Sequence, residues 1–392
     1  MESVPKNPLL KPLPKINNLL IIAQGGATPI ILDIYDDYLN MPIKIVKLTD
    51  IINYLDIIEN YHGQFPTEKH VLNAYLKLDN IILGFNDYLD KFGSNDNETY
   101  LINSNTGKVK ISLKDYMKYL LIMNPQYSII PFEFVPNDAG KKRIQRFLSK
   151  INYIFHEYKN QINNIKNNDI KLIIPYYLDF SGSISLNDNF KENIDKCNGL
   201  LIFTDDYKNM NYEKIINYKN EITKIKNEHK SISEMIIKAN LDTALDLIVG
   251  FLINCNFFEI KFPYTYAQEG KLININFDDF KKEKDYGKIE NLENFEYNLK
   301  VLNMNDKNFE NDNGDFSENC KCFSCLTQYK RSYLHHLFKC QELNGPIITC
   351  IHNCYQIREL YNHLNEVKND EALLKNYVMW FLENQCEKAQ KK

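Results

Sequence analysis

Three cysteines fall within six residues in Cys320-Lys-Cys322-Phe-Ser-Cys325. A backbone that turns back on itself places their sulfurs around one point, where three thiolates repel one another unless a cation neutralises them. Zinc accepts such ligands in a closed tetrahedron, so one zinc per chain is the expected cofactor and a fourth donor must come from further along. His352 ends the apolar run Ile347 to Ile351, and strand geometry there would hold its ring against the cysteines. His335, His336, Cys340, Cys350 and Cys354 compete for the same place. The two adjacent histidines fall mid-helix, where their neighbours would carry them away along the axis. A set of merely buried thiols is the alternative, and it does not account for so tight a spacing.

The residues after the triplet form a signature: Arg331-Ser-Tyr333-Leu-His-His336-Leu, then Glu342-Leu-Asn-Gly345 and Ile351-His352-Asn353. In this order, behind Cys-x-Cys-x-x-Cys, they resemble the zinc segment of the tRNA-guanine transglycosylases. These are the queuine tRNA-ribosyltransferases, which exchange guanine for queuine at the wobble position of tRNA. The resemblance implies that His352 completes the ligand set of Cys320, Cys322 and Cys325. It also implies a (β/α)8 barrel carrying the metal segment near its C-terminus. The loop from Cys325 to Arg331 is one residue longer than the family pattern.

Upstream, Phe257-Phe258-Glu259-Ile-Lys-Phe262-Pro263-Tyr264-Thr265 resembles the strand on which catalytic members carry Asp-x-Phe-Asp-Cys-Val-x-Pro-Thr-Arg. The second Asp of that motif attacks the ribose and holds the RNA covalently. Glu259 stands in its place here, and its extra methylene shifts the carboxylate by about an ångström, a displacement that can cost about a hundredfold in rate. The family's Asp-Ser-Gly-Gly-Phe-Gln has no counterpart, and the corresponding loop offers only Asp87, Asp90 and Asp96. The Gly-Gly-Leu-Ala-Val-Gly-Glu base-recognition strand is reduced to Asn198-Gly-Leu-Leu-Ile-Phe203. No catalytic residue is therefore expected, with Glu259 a degenerate nucleophile position. Within the family, Phe258-Glu259-Ile-Lys-Phe262-Pro263-Tyr264 and Phe295-Glu-Tyr-Asn-Leu299 resemble the accessory subunit of the eukaryotic enzyme. That implies a non-catalytic subunit forming a heterodimer with a catalytic partner, with tRNA bound through the complex. It further implies a cytoplasmic protein that can sit peripherally on the mitochondrial outer membrane.

The elements that must position these residues follow a regular order. A chain of 392 residues, 44% apolar with 26 Tyr and 22 Phe, can bury a large core. The net charge of −4 argues against a general nucleic-acid coat, so RNA contact would need a local basic patch. Nine cysteines, an odd number crowded towards the C-terminus, suit a reducing compartment and a metal site. No uninterrupted apolar run is long enough to span a bilayer, and the start lacks the apolar core of a secretory signal.

Residues 1–18, with four prolines, read as an extended arm, and Gly25-Gly26 as a turn between two short strands. Strand-like runs at 44–48, 81–85, 128–135, 170–175, 199–203 and 257–263 alternate with helical patterns. This is the order of parallel βα units and predicts an α/β fold, a (β/α)8 TIM-like barrel over 19–315. The pattern also accommodates a doubly wound sheet. A hairpin at 100–111 precedes a helix capped by Ser112 and Asp115, and Asp242 is placed to cap the helix Ala244 to Leu252. The segment 265–318 reads as a polar insertion or extended loop. Residues 316–392 form a Cys3His zinc-binding subdomain with C-terminal helices.

Two surfaces are candidates for contact. Tyr329, Tyr333 and His336 recur at i, i+4 and i+7 and offer an aromatic face to a partner, or else pack into the chain's own core. Lys141, Lys142, Arg143 and Arg146, with Lys150, interleave with apolar residues as a solvated helix face, or else touch RNA. Two other functions compete with the accessory reading. A transglycosylase active through Glu259 would turn over tRNA without a partner, and a zinc-stabilised RNA-binding module would hold tRNA tightly by itself.

Overall fold

Eight short apolar runs become the parallel strands β1 (Leu19–Ile22), β2 (Ile43–Lys47), β3 (Asn80–Gly84), β6 (Tyr127–Ile129), β7 (Lys171–Tyr177), β8 (Gly199–Phe203), β9 (Met235–Leu241) and β10 (Phe257–Ile260). They close into a barrel in the order β1-β10-β9-β8-β7-β6-β3-β2. Closure is made by β1, which pairs on one side with β10 (Leu20 opposite Glu259) and on the other with β2 (Ile21 opposite Lys44). The expected (β/α)8 barrel is thus present, and a doubly wound open sheet is ruled out. The computed structural model describes residues 19–22, 43–52, 80–85, 99–104, 107–123, 125–132, 140–162, 170–178, 197–204, 211–232, 235–287 and 295–388. The arm at 1–18, the Gly25-Gly26 turn and the acidic loop at 86–98 lie outside them.

Strands covered on both faces read as continuous apolar runs rather than alternating ones. β8 is buried at every position, and Gly199 opens it because a Cβ there would lie 2.6 Å from the Met235 carbonyl oxygen. The helices Lys141–Ile162, Tyr212–Glu228 and Ala244–Leu252 follow β6, β8 and β9. Gly250 lets the last of these settle on the sheet, since a Cβ would stand 2.8 Å from the Lys238 stem. That helix is capped by Thr243 rather than Asp242. Thr243 Oγ1 accepts the Asp246 N–H while Asp246 accepts the Thr243 N–H, a closed capping box. The expected hairpin is β4 (Thr99–Ser104) with β5 (Gly107–Ser112), and Ser112 and Asp115 cap the helix Leu113–Met123 reciprocally.

Past β10 the chain builds an arm on the barrel. The helix Phe262–Gln268 leads to β11 (Lys271–Ile273), which pairs antiparallel with β13 (Val301–Asn303), while β12 (Phe295–Leu299) pairs with β14 (Cys386–Lys388). The segment expected as an extended loop therefore supplies strands. The helices Phe323–Leu326, Arg331–Lys339, Asn344–Val367 and Glu371–Gln385 complete the arm. The run Ile347 to Ile351, expected as a strand, lies inside the Asn344–Val367 helix. Pro346 sits in its first turn, where no intrahelical N–H is lost. The helix runs through the core with most of its circumference covered, so its apolar residues do not show a one-sided helical stripe.

Candidate functional site

The four chemistry-bearing residues of the C-terminal arm meet at one point. The Sγ atoms of Cys320, Cys322 and Cys325 and one ring nitrogen of His352 all lie within 4.8 Å of one another, the one such group among the described residues. His352 Nδ1 stands 3.7, 3.5 and 3.4 Å from the sulfurs of Cys320, Cys322 and Cys325. Metal–sulfur and metal–nitrogen bonds of about 2.3 and 2.0 Å, set tetrahedrally, give an S···N edge of about 3.5 Å. The donor set and its spacing fit a tetrahedral divalent ion.

Local folding explains the convergence. Cys322 is the N-cap of the short helix Phe323–Leu326, and its sulfur accepts the Cys325 N–H at 3.3 Å, so one helical turn brings the two thiols to the same side. Ser324 Oγ donates to the Ile348 carbonyl and fastens this turn to the long helix. His352 comes from that helix, not from a strand end. Its Nε2–H points at the Ile273 carbonyl of β11 at 2.8 Å, which leaves the Nδ1 lone pair facing the sulfurs. Next to it, Asn353 accepts the Ile273 N–H and donates to the Lys271 and Pro263 carbonyls. Gln356, one turn on, accepts the Ile275 N–H. The supposed loop thus supplies the support that aims the histidine.

The electrostatics of the cluster call for a cation. Hydrogen bonds from the Cys322 and Cys325 thiols, aided by His352, hold the Cys320 thiol far below its ordinary range, against the effect of burial. Burial and the neighbouring sulfurs push Cys322 the other way. Burial disfavours a charged His352, yet the Cys320 and Cys325 sulfurs outweigh it and raise its pKa to about 10. The sulfurs thus favour positive charge at Nδ1, whether a proton or a metal ion supplies it. A bound divalent ion would replace that proton.

The rival donors are placed elsewhere. His335 is buried with Nδ1 2.7 Å from the Met304 carbonyl oxygen, and His336 is exposed beside Cys340. Cys350 and Cys354 face each other at 3.9 Å, one turn apart in the long helix.

Glu259 lies on β10 with no solvent exposure, and Lys47, the last residue of β2, places its Nζ 3.4 Å from Glu259 Oε1. The two strands flank β1, so the pair reaches across it inside the barrel. The sequence marked Glu259 but not Lys47, whose one signal was a cation ending an apolar strand. Around the rim, Phe132, Tyr177 and Phe203 follow or end β6, β7 and β8. Tyr177 stacks on Phe203 at 5.1 Å and Phe132 meets Phe203 edge-on at 5.6 Å, all three buried. Active sites of such barrels sit at this C-terminal face. Here that part of it is occupied by packed rings.

Tyr333 and His336 are exposed on the Arg331–Lys339 helix; Tyr329 precedes the helix rather than lying on it, and its ring stacks on Tyr333 at 5.5 Å. The helix starts late because the 312–315 loop binds its entry, with Arg331 N–H donating to the Gly314 carbonyl and Asp315 bridging Lys330. Among the described residues, the large apolar side chains left exposed are Leu326, Tyr333 and Leu343, all on this arm. Lys141, Lys142 and Arg146 are exposed at the start of the Lys141–Ile162 helix, with Arg143 half-buried beside them. Lys150 is not part of that face. It is buried over the Tyr100 ring at 3.8 Å and donates to the Thr99 carbonyl.

A closed parallel barrel with a Cys3His arm fastened behind its last strand is the architecture that the resemblance to the tRNA-guanine transglycosylases implied. Residues 205–385 match the family model described as queuine tRNA-ribosyltransferase. A queuine tRNA-ribosyltransferase-like protein of Plasmodium falciparum is 24% identical over 94% of this chain and 96% of its own length. The queuine tRNA-ribosyltransferase accessory subunit 2 of Drosophila persimilis is 20% identical over 89% of this chain and 81% of its own. The queuine tRNA-ribosyltransferase of Dichelobacter nodosus matches at 29% over 22% of this chain.

Proposed function

We propose that this chain is a non-catalytic accessory subunit of a queuine tRNA-ribosyltransferase, pairing with a catalytic subunit that exchanges guanine for queuine in tRNA. The observation that carries this reading is the buried Lys47–Glu259 pair. A nucleophile must reach ribose with its charge uncommitted. Glu259 is instead sealed in the barrel against an ammonium group. The similarity to a protein named as an accessory subunit supports the same reading.

The metal is zinc in this proposal, held by Cys320, Cys322, Cys325 and His352 in a closed site with no position left for substrate, hence structural. It fixes the arm whose exposed Leu326, Tyr333 and Leu343, with Tyr329 and His336, form the docking surface for the catalytic subunit. Lys141, Lys142, Arg143 and Arg146 are the proposed tRNA contact of the complex. The protein works in the cytoplasm or at a membrane surface; no helix among the described residues is long and apolar enough to cross a membrane.

Co-expression with a catalytic transglycosylase tests the proposal. One zinc per chain, a mass equal to one copy of each subunit, and labelled guanine incorporation by the complex alone are expected. Cys322→Ala should lose both the metal and the partner. Turnover of tRNA by the purified chain alone would overturn it.

A further inference from the structure

A cavity of about 300 Å³ opens at the end of the barrel where β10 begins, away from the rim discussed above. Its walls come from the second half of the Tyr212–Glu228 helix, the turn at 254–256 and the last turns of the Asn344–Val367 helix. Three ammonium groups line it, Lys219, Lys226 and Lys368, and no carboxylate does. Lys226 is half-buried, and its ammonium donates to the Asn254 carbonyl. Burial lowers its pKa, with the Cys255 thiol acting weakly in the opposite direction.

The helices ending at Glu228, Leu252 and Val367 bring their C-terminal ends here. Each contributes a partial charge of about −0.5, so together they offset about half of the three lysines. Glu371 is the carboxylate that acts on Lys219, but it is engaged by Lys375 at 2.9 Å. A surplus of positive charge therefore faces the hollow. Asparagines and three rings share the rest of the lining: the half-buried Phe251 contacts Phe258 and Tyr361 with ring centroids 6.1 Å away in each case.

We infer that this cavity binds a phosphate-bearing ligand of mononucleotide size, its phosphate held between Lys226 and Lys368 and its ring laid against Phe251. A phosphate supplies the missing negative charge through charge-assisted hydrogen bonds, and the volume lies at the lower end of the range for small-ligand sites. The inference stands apart from the accessory-subunit reading, because it uses neither the metal ligands nor Glu259.

Calorimetric titration of the purified full chain at low salt with GMP, guanosine and inorganic phosphate tests it. GMP is expected to bind at least tenfold more tightly than either guanosine or phosphate. Lys226→Met and Lys368→Met should each weaken GMP binding at least tenfold while the melting temperature of the unliganded protein stays unchanged for Lys368→Met, whose side chain is exposed. Equal affinities for GMP and guanosine, no GMP binding at millimolar concentration, or unaltered binding by Lys368→Met would overturn the site. Equal affinities for GMP and phosphate would overturn the ring contact. If Lys226→Met fails to fold, Lys368→Met alone decides.

Discussion

Replacing Lys47 by Met keeps most of the side-chain stem and removes the ammonium that faces Glu259. At 3.4 Å and an effective dielectric constant near 20, the gross attraction between the two charges is about 5 kcal/mol. Both side chains are almost wholly out of water, so the net value of the pair against an apolar replacement is small. Breaking it one-sidedly is costly, because a buried carboxylate is left without its cation. Lys47→Met should therefore destabilise the protein by about 3–5 kcal/mol. At about 2 °C per kcal/mol for a large domain, the melting temperature falls by about 6–10 °C. The double variant Lys47→Met/Glu259→Gln, which removes both charges, should recover most of the loss. Thermal unfolding followed by circular dichroism on the four members of the cycle yields the coupling energy. A coupling below about 0.5 kcal/mol, the additivity limit for independent sites, would refute the argument that Glu259 is committed to Lys47. So would a single variant that melts with the parent.

Asn353→Ala should cost about 2–3 kcal/mol, because the Ile273 N–H and the Lys271 and Pro263 carbonyls lose a shared side-chain partner in a buried setting; chemical denaturation measures it. Tyr333→Asp, at a side chain 41% exposed, should leave the melting temperature within about 1 °C while weakening association with the catalytic subunit at least tenfold in analytical ultracentrifugation. Changing Lys141, Lys142 and Arg146 together to Gln should reduce the salt dependence of tRNA binding by the complex by up to about 3 in the log–log slope, as expected if each neutralises one phosphate.

What was legible in the sequence was what is local. The cysteine triplet closes within one turn of chain, so its spacing carried its geometry, and the strand–helix alternation carried the parallel βα units but fitted an open doubly wound sheet as well as a barrel. His352 was found by family pattern and for a mistaken structural reason. Ile347 to Ile351 is β-branched and apolar enough to read as a strand, and its helical state is set by the long buried helix around it. The three-residue strands β11 and β13 are too short to show a period, yet β11 carries the carbonyl that aims His352. Lys47 meets Glu259 only because the barrel closes through β1, a fact that no local pattern contains. Tyr329 read as helical because the loop that delays the helix start is held by contacts from Asp312, Gly314 and Asp315.

One helix joins the metal arm to the barrel, and this makes the reach of the metal measurable. Asn344–Val367 carries His352 in its first half and Tyr361 in its second, where Tyr361 packs on Phe258 of β10 at 5.8 Å, next to Glu259 in the chain. Removing the ion frees three sulfurs and one imidazole at the N-terminal half only. The apolar contacts of Ile357, Leu360, Tyr361 and Leu364 persist without it. Chelation should therefore raise amide exchange across 271–275, 320–326 and 344–356, which are fastened through the ligands and through Asn353 and Gln356. The strands β7, β8 and β9 should keep their protection, because their hydrogen bonds run within the barrel. Uniform deprotection of arm and barrel together would mean that the metal holds the whole fold. Unchanged exchange at 344–356 would mean that the arm is shaped by packing alone, and the docking surface would then not depend on the ion.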